Sequence, residues 1–318
     1  MTDFPDRPLI IGTRSSPMAL AQTVHVADLL RGLDPGLRIE TAATTTAGDT
    51  WPGDLSQVGG KGLFVKAIDQ QLQRGEVDMA VHCLKDVPGD RPLPKGLTFA
   101  AMLPRADVHD VLLAPQGSAL VSLDELPAGA TVATSAVRRK AQLLARRPDL
   151  HVVEVRGAVG TRLEKLDGTR GDLTADAMVL AGAGLARLDL TDRIRYEFPL
   201  DEMLPAVGAG VLALECRQDD EAVHSLLARL DHPRTHAEAS AERSMLHGLQ
   251  GHCNSPVAGY CATLPDGRLS LRGMVFSSDA ARFAHAHLQA PSADDATALG
   301  SRVCSELLRQ GARDIIDE

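Results

Sequence analysis

The stretch from Val58 to Pro88, VGGKGLFVKAIDQQLQRGEVDMAVHCLKDVP, constrains the fold more than any other part of the chain. A glycine-hinged basic loop leads into an amphipathic helix over 64–74, with Phe64, Ile68 and Leu72 as its apolar stripe. The run Val77–His82 then reads as a buried strand whose end presents adjacent Lys85 and Asp86. A strand that delivers a cation and a carboxylate to its C-terminal edge belongs in an open α/β sheet, where ligands bind at that edge.

The same alternation runs through the first two-thirds of the chain. At 318 residues it is long enough for two or three domains. Leu9–Gly12 reads as a strand, Ser16 as an N-cap and Pro17 as a first helical residue, with Leu20, Val24, Ala27 and Leu30 as the helix's apolar stripe. The pattern restarts near Asp107: strand Thr131–Thr134, Ser135 as cap of the helix AVRRKAQLLARR, strand Val152–Val155, the turn RGAVGTR, a helix, and strand Ala177–Ala181. IIGTRSSPMAL and TVATSAVRRKAQL share a strand–Thr–Arg–helix logic, which suggests two similar lobes around a cleft. The segment Leu204–Glu215 is expected to return the chain to the first lobe. Beyond it, a helical stretch at His236–Leu249, three strand candidates and a helix over Asp294–Gln310 make a small α+β unit with an antiparallel sheet. The expected domains are 1–104 with 204–222, then 105–203, then 223–318.

A formal net charge of −9 and only one Trp, two Tyr and six Phe argue against nucleic acid as a partner. No window is apolar for long enough to cross a bilayer, and the N-terminus lacks a secretory pattern. Five cysteines without a CxxC pair point away from a disulfide framework and from a metal site. The expectation is a reduced, cytoplasmic protein with no membrane partner, and a monomer, since no coiled coil or obvious apolar interface is visible.

Arg138 and Arg139 fall in a first helical turn, where the macrodipole disfavours a cation by about 0.3–1 kcal/mol. They are either solvated on an exposed face or waiting for a docked anion. Arg14, Arg156 and Arg162 lie at strand-to-helix junctions too, and with Lys85 the set would make a polyanion site. Asp86 is either a turn aspartate before Pro88 or a carboxylate placed beside an amine-bearing, cation-forming substrate. The glycines of VGGKGLF match no nucleotide motif, so a lid bearing Lys61 is the better reading, and Phe64 belongs to the core or the cleft edge. Cys253 sits in a turn between a helix and a strand, beside His252. Cys83, Cys216, Cys261 and Cys304 read as core, and His82 as a satisfied structural histidine.

Taken together, GTRSSPMALAQ, VGGKGLFVK, DMAVHCLKDVP, TSAVRR, VRGAVGTRLEKLD, LAGAGLARL, LPAVGAG, AERSML and the Cys253 turn resemble the porphobilinogen deaminase family over nearly the whole chain. The resemblance implies two lobes like those of periplasmic binding proteins, with mixed sheets, plus a small α+β C-terminal domain holding a three-stranded antiparallel sheet. It implies a dipyrromethane cofactor joined by a thioether to Cys253. The cofactor's acidic arms would be held by Lys85, Asp86, Ser135, Arg138, Arg139 and Arg162. Arg14, Ser16, Lys61, Phe64 and Arg156 would receive porphobilinogen. Asp86 would be catalytic, assisting loss of ammonia and stabilising the resulting cation, and no metal is required. Four condensations and hydrolysis would release hydroxymethylbilane. The chain departs from the family pattern at Gln57, His109, Ala136, Ala158, Ala209 and His252, which opens an alternative as a diverged paralogue with altered elongation. Another alternative, a carboxylate-binding sensor on the same scaffold, is distinguished by its lack of a covalent cofactor.

Overall fold

The computed structural model describes residues 7–46, 62, 65–251, 255–277 and 279–316. Four strands come first: β1 (Leu9–Arg14), β2 (Ile39–Thr44), β3 (Met79–Cys83) and β4 (Leu97–Met102). The chain then crosses over and forms β5 (Asp110–Leu113), β6 (Thr131–Ala133), β7 (His151–Val153), β8 (Ala177–Ala181) and β9 (Ile194–Glu197). It returns as β10 (Leu212–Arg217).

The two five-stranded sheets have the orders β2-β1-β3-β10-β4 and β7-β6-β8-β5-β9. In the first, β1 runs parallel to β2 and β3, while β10 is antiparallel to β3 and β4. In the second, β6 runs parallel to β7 and β8, while β5 is antiparallel to β8 and β9. Each sheet thus follows one plan, and each receives its antiparallel inner strand across a crossover. Two crossovers between two lobes place a cleft where the parallel strands end.

Helix Pro17–Leu33 starts as its sequence predicts: Ser16 Oγ accepts from Ala19 N at 3.3 Å and Pro17 opens the first turn. Its buried face is different from the expected stripe. Ala19, Gln22, Thr23, Val26, Ala27 and Leu30 are buried, whereas Leu20 and Val24 face solvent. Two polar side chains occupy that face because each finds a partner there. Thr23 Oγ1 donates to Ala19 O at 2.9 Å, and Gln22 Nε2 donates to Cys83 Sγ at 3.0 Å. Helix Lys66–Gln73 buries Ile68 and Leu72 as expected.

The third unit is the antiparallel sheet β11 (Val257–Thr263), β12 (Leu269–Phe276) and β13 (Phe283–Ala290). Helices Pro233–Gly248 and Ala296–Arg309 pack on it, with Met245, Leu299, Val303 and Leu307 against Leu269, Leu271 and Val275. The helices touch closely: a Cβ on Gly300 would lie 2.2 Å from Ala241 O, so no larger residue fits. Glu242, fully buried, ties this unit to the crossovers. It accepts from Arg105 Nη2 (2.7 Å), Gly208 N (2.7 Å) and Cys261 N (2.8 Å). Cys216, Cys261 and Cys304 are buried, as expected of core thiols. Among the described residues, no helix is long and apolar enough to cross a membrane.

Candidate active site

The C-terminal edges of the parallel strands supply the site. Asp86 closes a single 3-10 turn, Leu84–Asp86, directly after β3. The turn is held from β10's side by Leu84 N donating to Val211 O at 3.0 Å. Gly208, at φ +74°, passes so close that a Cβ there would lie 3.0 Å from Lys85 N. Arg14, the last residue of β1, brings Nη1 to 3.8 Å from Asp86 Oδ2, and both side chains are half-buried. Lys85 shares the edge and has no carboxylate within ion-pairing distance among the described residues.

The second lobe presents Ser135 after β6 and Arg156 after β7, with Arg162 on helix Val159–Leu166. Arg162 Nε donates to Gly157 O at 2.7 Å and Nη1 to Ser135 Oγ at 3.3 Å. Arg156 pairs with Glu154 at 2.5 Å. Burial, then the neighbouring Arg139 and Arg156, push the Arg162 guanidinium down to about 10, while Asp86 acts in the opposite sense. Asp86 of one lobe is therefore within electrostatic reach of Arg162 of the other, inside a local excess of cations.

Arg138 and Arg139 are neither solvated nor open to the cleft. Both are buried on Asp110, the first residue of β5, with Arg138 Nη2–Asp110 Oδ2 at 2.7 Å and Arg139 Nη2–Asp110 Oδ1 at 2.8 Å. Arg138 also donates to Leu204 O (2.6 Å) and Arg139 to Val179 O (3.2 Å). The anion missing from the helix start is internal, and no local pattern around Asp110 signals it. Burial opposes ionisation of Asp110, but the two guanidiniums outweigh it and hold the carboxyl down at about 2.

Ser135 is not the helix cap either. Ala136 occupies the N-cap of helix Val137–Arg146, and Ala158 that of helix Val159–Leu166; neither has a side chain that can cap. At both helix starts the first N–H groups therefore receive no hydrogen bond from a cap side chain. Ser16 is engaged as a cap. Cys83 differs from the other described thiols: it is only half-buried and touches the site, where burial and then Asp86 push its pKa up. His82 is buried with Nε2 2.9 Å from Glu215 Oε2. Lys61, Phe64 and Cys253 lie outside the described residues, as do Gln57 and His252.

Arg187 escaped the sequence reading. It follows helix Gly182–Ala186 and reaches the first lobe, with Nη2 3.4 Å from Gly210 O and Nη1 3.9 Å from Cys83 Sγ. Its signal was available: as Arg14 ends β1 and Arg156 follows β7, Arg187 follows the parallel strand β8, though a short helix intervenes.

Residues 9–225 match the family model described as "Porphobilinogen deaminase, dipyromethane cofactor binding domain", and residues 236–309 match "Porphobilinogen deaminase, C-terminal domain". The chain belongs to the porphobilinogen deaminase family. It is 52% identical to porphobilinogen deaminase 2 of Streptomyces coelicolor over 96% of either chain. It is 44% identical to the porphobilinogen deaminase of Brevibacillus brevis, over 97% of this chain and 96% of that one. A periplasmic substrate-binding protein of an ABC transporter from Coxiella burnetii aligns with a TM-score of 0.42 and 15% identity, over 74% of this chain and 96% of that one.

Family membership makes the chain an enzyme of tetrapyrrole biosynthesis with a dipyrromethane cofactor. The residues present fit such a group. A ligand with several carboxylates answers the cation excess in which Arg162 is found, and the edge also holds Lys85 and Arg187.

Proposed function

We propose that the chain is the transferase hydroxymethylbilane synthase, acting as a cytoplasmic monomer, with Asp86 as its catalytic carboxylate and Cys253 as the thioether anchor. The observation that carries this reading is Asp86 at the end of β3, 3.8 Å from Arg14 on its own lobe and within electrostatic reach of Arg162 on the other. The dipyrromethane supplies, when bound, the nucleophilic pyrrole carbon that begins the chain. Lys85, Ser135 and Arg162 are assigned to its acidic arms, and Arg14, Ser16 and Arg156 to those of incoming porphobilinogen. Lys61 and Phe64 complete the substrate side in this reading. Arg138 and Arg139 support the wall behind Ser135 through Asp110.

The chemistry assigned to Asp86 is electrostatic and acid–base. Its carboxylate accepts a hydrogen bond from the substrate's ammonium group and stays beside the carbon as ammonia leaves. The positive charge that develops there is stabilised by a carboxylate held in place by the turn after β3. Arg14, 3.8 Å away, orients that carboxylate. A further support for the anchor comes from helix Pro233–Gly248, which leads toward residue 253. Arg243 on that helix donates to Pro88 O at 3.1 Å, and His247 Nδ1 lies 3.3 Å from Gly89 O, both just past Asp86.

Intact-mass measurement of the purified chain tests the anchor. The expected result is an added dipyrromethane mass that disappears in Cys253→Ser. A bare, folded and inactive wild-type chain would remove Cys253 from this role.

A further inference from the structure

A buried ionisable cluster lies beneath the catalytic turn and takes no part in the chemistry above. Asp69 on helix Lys66–Gln73, His82 on β3 and Glu215 on β10 bring their polar atoms to within 4.8 Å of one another. Their relative exposures are 7%, 4% and 1%, so the cluster is shut off from water. His82 Nε2 and Glu215 Oε2 are 2.9 Å apart. Among the described residues, Asp69 Oδ1 and Glu215 Oε1 are buried without a hydrogen-bond partner.

Such a cluster is costly. Apolar residues of similar volume are commonly neutral or stabilising in place of buried charges, and unpaired carboxylate oxygens add a desolvation penalty. Nothing in the sheet's pairing needs these three side chains, since β3 and β10 are joined by their backbones. Buried groups kept at such a cost close to a reacting carboxylate point to a role in its electrostatics.

The location supports that role. His82 is four residues before Asp86, near enough for the Asp86 carboxylate to favour its imidazolium. Asp69 sits on the helix that follows the glycine-rich loop, and Glu215 on the strand that returns from the second lobe. The cations facing the cluster are Arg91, which acts on Asp69, and Arg243 of the third unit, which acts on Glu215. The thiol of Cys216 also borders Glu215. With His82 as imidazolium and one proton held between the two carboxyl groups, the triad is neutral. Losing one proton gives it a net negative charge behind Asp86.

We propose that Asp69, His82 and Glu215 form a proton-sharing triad that positions the Lys85–Asp86 turn and, through its net charge, tunes the Asp86 carboxylate during turnover. This rests on Asp86 being the catalytic carboxylate. The three are positioning residues, since none touches the cleft. Burial, then Glu215, raise the Asp69 carboxyl to about 7, so the triad's charge changes near neutral pH. Burial opposes protonation of His82, but Glu215 and Asp69 outweigh it and raise its pKa.

The test is the pH profile of kcat for cofactor-loaded enzyme. Wild type is expected to show an inflection near pH 7 that Asp69→Asn abolishes and Asp69→Glu restores. KM should change by less than about twofold, because ground-state binding is not involved. An Asn variant whose profile superimposes on that of wild type would overturn the proposal. So would one divalent metal per chain in wild type, found by elemental analysis and lost in the variant.

A second measurement needs neither turnover nor a variant. Side-chain NMR of wild type should show His82 as imidazolium at pH 6 with the Asp69 carboxyl still protonated. A neutral His82 between two ionised carboxylates at that pH would overturn the triad. Loss of the dipyrromethane mass or an active Asp86→Asn would instead defeat the catalytic assignment, leaving the NMR result to judge the triad alone.

Discussion

Arg14 Nη1 stands 3.8 Å from Asp86 Oδ2, joining the ends of two neighbouring parallel strands across the floor of the cleft. The pairing follows from register: β1 and β3 run parallel, with Ile11 opposite Met79 and Gly12 opposite Ala80, so their C-terminal edges come out together. The guanidinium braces the carboxylate from the neighbouring strand end, with both side chains half-buried.

Asp86→Asn keeps the turn's shape and removes only the charge. A carboxylate about 4 Å from a developing cation is worth roughly 4 kcal/mol at an effective dielectric near 20. The expected loss in turnover is therefore about a thousandfold, with the melting temperature and the attached cofactor retained. Near-normal porphobilinogen consumption by this variant would show that another group performs the task.

Asp110→Asn addresses the wall behind the site. In wild type the Asp110 carboxyl is held at about 2, below its unfolded value. Its contribution to stability is present above about pH 4 and is lost as pH falls toward 2. The Asn variant should lose about 3–5 kcal/mol at neutral pH, because two buried guanidiniums are left facing each other. It should also lose the part of the acid-unfolding slope that Asp110 supplies. Denaturant melts across pH 2–7 measure both, and parallel wild-type and variant curves would contradict the assignment.

Ala136 and Ala158 offer a gain rather than a loss. Both have the extended backbone of an N-cap, with φ/ψ of −95°/115° and −60°/161°, and neither can accept from the first N–H groups. Ala136→Ser and Ala158→Asn should each stabilise the chain by about 1 kcal/mol. An unchanged midpoint in urea would mean that those N–H groups already have partners in the folded protein.

Much of this architecture was legible because periodicity and end signals are local properties. The Ser16–Pro17 start, the strand leading to Lys85–Asp86 and the three C-terminal strands could each be read from a few neighbouring residues. The cations at strand ends were legible for the same reason, as chain position places Arg14, Arg156 and Arg162 beside the cleft. Leu20 and Val24 misled because spacing gives the period of a helix, whereas its burial depends on which polar groups find partners inside.

By itself, then, the sequence determined the succession of strands and helices, the edge that carries Asp86 and the family to which the chain belongs. Only the tertiary structure decided what the charges do. Asp110 lies 28 residues before Arg138 in the chain and gains its meaning from the closing of the second sheet around it. Arg187 reaches Gly210, and Asp69 meets His82 and Glu215, only once the chain has crossed twice between lobes. A side chain's ionisation and orientation follow from burial and from neighbours remote in sequence, which only the folded chain assembles.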